Sequence, residues 1–202
     1  MQLNIPFYIQ GHNECGPASL QMVLEFLGEK HDREEIKKLI DSESSGATWT
    51  IALAKAASQL GFESEFYSTS LGFNPENFSL DYYKKETDGV DSVKTKLDKI
   101  FSECLKNNVK LEEKSIDLMD IENKINNDRI AIVLINWAVI KNKDGYVGHI
   151  VPIVGFDKEF VYIHNPGPLN PESFMKIERV LFDKSRKSTG TDEDIVFVHR
   201  KH

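Results

Sequence analysis

The apolar pattern changes period near residue 126, and this change constrains the fold more than any other feature of the chain. Before it, apolar residues recur at three and four, as one face of a helix requires; after it, short β-branched runs alternate with turn residues. A chain built this way predicts an α+β protein, with an N-terminal helical part set against a C-terminal antiparallel sheet.

In the first half, SLQMVLEFLG puts Leu20, Met22, Val23, Phe26 and Leu27 on one broad face, with Gly28 as its stop. REEIKKLID and TWTIALAKAASQLGF predict two more helices, the second opening at Thr48 or Thr50 and ending at Gly61. ESEFYSTS alternates as a strand. Residues 71–89 hold NPEN, paired tyrosines and TDG with no sustained period, which predicts a long irregular connection able to overhang a cleft. DSVKTKLDKIFSECLKNN is an amphipathic helix carrying Cys104, and DLMDIENKINND is a second one capped by Asp117.

In the second half, RIAIVLINWAVI is a continuous apolar run suited to a strand buried on both faces. KNKDG follows as a hairpin loop, then YVGHIVPIVGF and FVYIHNP as strands separated by DKE. ESFMKIERVLFDKSRK predicts a short helix, KSTGTDED a polar loop, and DIVFVH a last strand closing the same sheet. No internal repeat and no Pro- or Ser-rich linker divides the 202 residues, so the expectation is one domain over 1–202, with 71–126 a variable, partly helical middle section.

Composition narrows the function classes. Lys+Arg 25 against Asp+Glu 32 give a formal charge of −7, and neither end carries the basic cluster that would neutralise phosphates or anionic lipid, so nucleic acid is not an expected partner. The N-terminus lacks a signal-peptide pattern and no apolar window is long enough to span a bilayer, which leads to the expectation of a soluble, cytoplasmic protein. Two cysteines in different settings do not make a disulfide scaffold.

Cys15 stands immediately before Gly16 and Pro17. Proline is tolerated in the first turn of a helix, where its missing N–H has no intrahelical partner, so Cys15 opens the helix. Free amides and the partial positive charge there favour thiolate and should lower the thiol pKa, with Glu14 opposing them. A nucleophilic thiol needs a base. Of the histidines at 12, 31, 149, 164, 199 and 202, His149 alone begins an apolar strand after glycines. A catalytic imidazole also needs an orienting oxygen; Asn165 lies one hairpin later and is carried back toward His149 by the DKE turn. Each residue has a plain structural alternative: a buried cysteine, a half-buried strand histidine, and an asparagine making the turn in HNPG. His12, Cys15, His149 and His164 could also supply soft metal ligands, but they offer one half-site without a matched second pair, so no metal is expected.

Gln10, ECGPASLQMVL, GHIVPIVGF and HNPGP together resemble the bacteriocin-processing, double-glycine leader peptidases and their stand-alone relatives in the papain-like cysteine peptidase superfamily. The resemblance implies a papain-like fold with the nucleophile helix packed on the later sheet. It further implies Cys15 as nucleophile, His149 as general base and then acid, Asn165 as orienting group, and Gln10 as oxyanion donor. Glu14 stands where the family usually has Asp or Asn, and four residues separate Gln10 from Cys15 where many papain-like enzymes have five. The function expected is a cysteine hydrolase acting on a peptide or small amide, with no cofactor. The alternatives are an acyltransferase using the same triad and an inactive papain-like binding module.

Overall fold

A computed structural model describes residues 1–201. Eight helices and seven strands follow one another: α1 (Cys15–Phe26), α2 (Arg33–Ile40), α3 (Thr50–Gln59), β1 (Glu63–Ser68), a 3₁₀ turn (Pro75–Ser79), α4 (Asp81–Glu86), α5 (Val90–Lys106), β2 (Lys110–Glu113) and α6 (Leu118–Lys124) form the first part. The second part runs β3 (Arg129–Asn136), α7 (Trp137–Ile140), β4 (Gly148–Phe156), β5 (Phe160–Asn165), β6 (Glu172–Glu178), α8 (Arg179–Arg186) and β7 (Ile195–His199). All strands join one sheet in the order β2-β1-β7-β3-β4-β5-β6. Every pairing is antiparallel except β1 with β2.

Helix α1 is the buried helix that its apolar face predicts: Leu20, Met22, Val23 and Leu24 are fully enclosed. Truncating any of the leucines should cost about 3 kcal/mol by transfer and cavity terms together. The helix ends at the predicted stop, where Gly28 takes φ 111°, a left-handed conformation that a Cβ would strain. α1 is fixed to the sheet by Ser19, whose hydroxyl donates to the Ile150 carbonyl of β4 at 3.0 Å. The N-terminal segment runs along the same strand, with Leu3 N–H donating to Val154 O at 2.8 Å. Gly155 allows this approach, because a Cβ there would lie 2.5 Å from the Met1 carbonyl.

Five parts of the chain depart from the sequence expectation. The run RIAIVLINWAVI divides into β3 and the short α7, because Asn136 caps the turn: its Oδ1 accepts from the Ala138 and Val147 amides at 3.0 and 3.1 Å. The expected helix ESFMKIERVLFDKSRK is half strand, with ESFMKIE forming β6 beside β5 and only the rest forming α8. KLEE forms β2 at the sheet edge, where its exposed residues leave no alternation to read. Residues 71–89 are not wholly irregular, since they hold the 3₁₀ turn and α4. β7 lies inside the sheet between β1 and β3 rather than at its end. Among the described residues no helix is long and apolar enough to cross a membrane.

Candidate active site

Strands β4 and β5 form the hairpin that the DKE turn predicts, and they bring His149 and Asn165 together. His149 is 6% exposed and its Nε2 lies 3.0 Å from Asn165 Oδ1. The asparagine's orientation fixes the imidazole tautomer. Asn165 Nδ2 donates to the Asn170 carbonyl at 2.8 Å, and Oδ1 accepts from the Gly167 amide at 3.1 Å. Oδ1 is therefore the acceptor for the ring, Nε2 carries the proton, and Nδ1 is left as a free base. Asn165 is thus bonded both to the ring and to the backbone of the turn.

Cys15 is the first residue of α1, after Glu14 at the N-cap position. The backbone of Ile150, the residue after His149 on β4, and the amides of Gly16 and Cys15 itself act on the thiol in the direction that lowers its pKa. No direct hydrogen bond joins the thiol to the ring among the described residues.

The thiol pKa departs from expectation. Burial pushes it above its ordinary value, and the three amides offset this only in part. Glu14 does not contribute as expected, because Lys37 holds its Oε1 at 2.7 Å and Arg33 lies 3.7 Å from Oε2. Burial also lowers His149 to about 4, against the pull of the Asn165 bond. Desolvation acts on both groups in the same sense, disfavouring the thiolate and the imidazolium alike.

Gln10 is 8% exposed and lies against the turn after Asn165, its amide N–H donating to the Pro166 carbonyl at 2.9 Å. Its Nε2 donates to the Gly11 carbonyl at 3.2 Å, while its buried Oε1 has no partner. The side chain is near the turn that follows Asn165, with its carboxamide nitrogen engaged locally.

The other histidines take structural or surface places. His164 is fully buried, accepts from the Phe174 amide at Nδ1 and donates from Nε2 to the Ile5 carbonyl at 2.9 Å, so neither nitrogen is free for a metal or a proton transfer. His12 is exposed, His31 pairs with Glu29 and Glu35, and His199 pairs with Glu65 at 2.7 Å. His202 lies outside the described residues.

Two site residues escaped the sequence reading. Trp137 packs against the His149 ring, 4.8 Å between centroids and tilted by 60°. It sat inside a run read as strand; the Asn-Trp start of a capped turn was the available signal. Tyr82 of α4 reaches the Gly148 carbonyl at 3.4 Å and lies close enough to Cys15 for the sulfur's charge to raise its phenol pKa further, beyond the effect of burial. Paired tyrosines in a stretch without period gave no comparable signal.

The comparisons divide between fold and family. The peptidase domain of Streptococcus ComA, a bifunctional ABC transporter involved in quorum sensing, superposes with a TM-score of 0.54 at 14% identity, covering 98% of each chain. A putative C39-like peptidase from Bacillus anthracis gives 0.58 at 13% identity, covering 100% of this chain and 98% of that one. The fold is therefore that of papain-like C39 peptidase domains. In sequence, the model of a family described as guanylylate cyclase matches residues 5–198. Guanylyl cyclase 1 of Arabidopsis thaliana is 25% identical over 201 residues, covering 92% of this chain and 72% of that protein.

Proposed function

Because the chain belongs to the guanylylate cyclase family and yet carries a thiol, an imidazole and a carboxamide on a C39 peptidase fold, we propose that it is a cysteine hydrolase. It cleaves a peptide or related amide bond through an acyl-enzyme, as one papain-like domain over 1–202 in which 71–126 is the variable section. One observation carries this reading: the 3.0 Å His149–Asn165 bond, which leaves Nδ1 as a base on the strand whose next residue, Ile150, acts through its backbone to lower the Cys15 pKa.

The chemistry follows from the desolvation that the two groups share. As Cys15 attacks the carbonyl, its proton moves to His149 Nδ1, so thiolate forms as it is consumed. Asn165 stabilises the imidazolium that results, and the low dielectric around Trp137 strengthens that bond. The Cys15 backbone N–H and Gln10 Nε2 are the donors for the oxyanion, and loss of one such donor costs about 3 kcal/mol. His149 then protonates the leaving amine and activates water, or an amine acceptor in the acyltransferase variant of the same scheme.

The family description supports a second reading, formation of cyclic GMP from GTP. That chemistry needs cations for a triphosphate, whereas Arg33 and Lys37, the cations beside the α1 N-terminus, are engaged with Glu14. Incubation with a peptide-amide library, and separately with GTP and magnesium or manganese, distinguishes the two. The hydrolase reading predicts amide cleavage, with an acyl adduct on Cys15 by mass spectrometry, both lost in Cys15→Ala. Cyclic GMP formed equally by the parent and Cys15→Ala, without amide cleavage, would overturn it.

A further inference from the structure

Beside Cys15 lies a cavity of about 60 Å³, enough for several water-sized groups. Its walls come from the start of α3, the 70–78 segment, α4 and the loop before β7. Three lining residues bind it to the candidate site. Tyr82 donates to the Gly148 carbonyl at 3.4 Å, Gly148 precedes His149, and Thr48 stands against Gly16, where a Cβ would come within 2.9 Å of it.

Among the described residues lining this cavity there is no Lys, Arg or His, but there are four carboxylates. Three have partners. Glu43 is held by Lys96 at 3.1 Å and Trp49 Nε1 at 2.7 Å. Glu86 accepts from Asn13, and Asp192 accepts from the Asn74 and Asn77 amides at 2.7 Å each. The fourth, Asp194, has no such bond. Ser68 turns a hydroxyl toward it, but that proton is engaged by the Ser70 and Asp192 carbonyls. Thr50, 2% exposed, also faces Asp194, and its Oγ1 finds no partner of hydrogen-bonding geometry. A buried hydroxyl without a partner, beside a half-buried carboxylate at the cavity wall, is costly in a finished core and calls for an explanation such as a ligand's place. Burial and the Asp192 charge push Asp194 up to about 8, as a carboxyl without a countercharge requires.

We propose that this cavity is a substrate subsite for an organic cation, the ammonium or guanidinium end of an alkyl side chain, held by the Asp194 carboxylate and the Thr50 hydroxyl. Trp49 and Tyr83, stacked at 5.7 Å, and Tyr146, stacked on Tyr83 at 5.6 Å, form a wall suited to such a cation and its alkyl stem. A metal ion fits less well, since it needs several oxygen ligands and here one carboxylate is free. The proposal deepens the hydrolase reading and rests on it: a basic side chain seated here would lie next to the bond that Cys15 attacks.

The test separates the two ideas by using Cys15→Ala, which cannot turn over. Binding of n-butylammonium, of n-butanol as its neutral counterpart, and of calcium is measured by calorimetry above pH 8, the range that favours the ionised Asp194. The ammonium should bind at least about tenfold more tightly than the alcohol, and Asp194→Asn should remove that preference while leaving alcohol binding unchanged. Thr50→Val should weaken it less, with a thermal midpoint close to the parent's. Equal affinity for cation and alcohol, calcium binding without ammonium preference, or full ammonium binding in a folded Asp194→Asn protein would overturn the subsite. Ammonium preference in a chain whose parent shows no Cys15-dependent cleavage would retain the subsite and reject the hydrolase.

Discussion

Helices α1 and α5 each carry a cysteine, and desolvation pushes both thiols upward, Cys104 to about 12. What surrounds the two sulfurs differs. Cys104 lies within its helix, fully enclosed, with its thiol donating to the Ile51 carbonyl at 3.8 Å; it is a small apolar side chain with a weak bond. Cys15 opens its helix, is only partly enclosed, and has the backbone amides of Ile150 and Gly16 acting to lower its pKa, Ile150 being the residue after His149 on β4. Burial alone makes an inert thiol; the proposal is that the setting of Cys15 makes a nucleophile of it.

The largest effect separating the helices should come from deleting each sulfur. Cys15→Ala should lower kcat/KM for amide cleavage by at least ~1000-fold. Cys104→Ala should leave kcat/KM within about twofold and lower stability by about 1–2 kcal/mol. Comparable losses of activity in the two variants would erase the contrast.

The pH profile sharpens the role of the base. With His149 lowered from 6.5 to about 4, the acid limb of kcat/KM should fall near pH 4, so that at about pH 5 activity exceeds that of an unshifted base by about thirtyfold. The same shift makes folding stability decline as pH falls from 6.5 toward 4, because the unfolded chain takes up a proton that the buried ring refuses. A limb centred at 6.5 would mean that the ring is well solvated.

A smaller effect is expected at Asn165. Asn165→Ala removes the imidazole's acceptor and should cost about tenfold or more in kcat/KM, together with thermal stability, because the turn bonds go with it. Asn165→Asp keeps the acceptor and most of the activity, but it sets an oxygen against the Asn170 carbonyl in place of an N–H and should cost about 1–3 kcal/mol of stability. An active, stable Asn165→Ala protein would leave Cys15 and His149 as a dyad.

The hairpin carrying His149 and Asn165 was legible because strand period, turn residues and strand lengths all point one way: GHIVPIVGF, then DKE, then FVYIHN. Helix α1 was legible for the same reason, its apolar face ending at a glycine. Where local signals conflict, tertiary contacts decide. WAVI has strand composition, yet Asn136 turns it into a capped helical turn that sets Trp137 over the imidazole. ESFMKIE divides from α8 because β5 offers it an edge to pair with. The subsite was hidden because its walls come from segments more than a hundred residues apart, and nothing in a linear pattern joins Thr50 to Asp194. The upward thiol shift was equally invisible, since a helix N-terminus can be read from sequence while desolvation cannot.

The central claim, that Cys15 and not Cys104 is an activated nucleophile served by His149, is tested most directly by limited iodoacetamide labelling at neutral pH with peptide mapping of both cysteines. Cys15 should be alkylated at least about tenfold faster than Cys104, and His149→Ala should remove most of that advantage without changing the rate at Cys104. Equal rates at the two thiols in the parent protein, or a Cys15 rate indifferent to His149→Ala, would contradict the account.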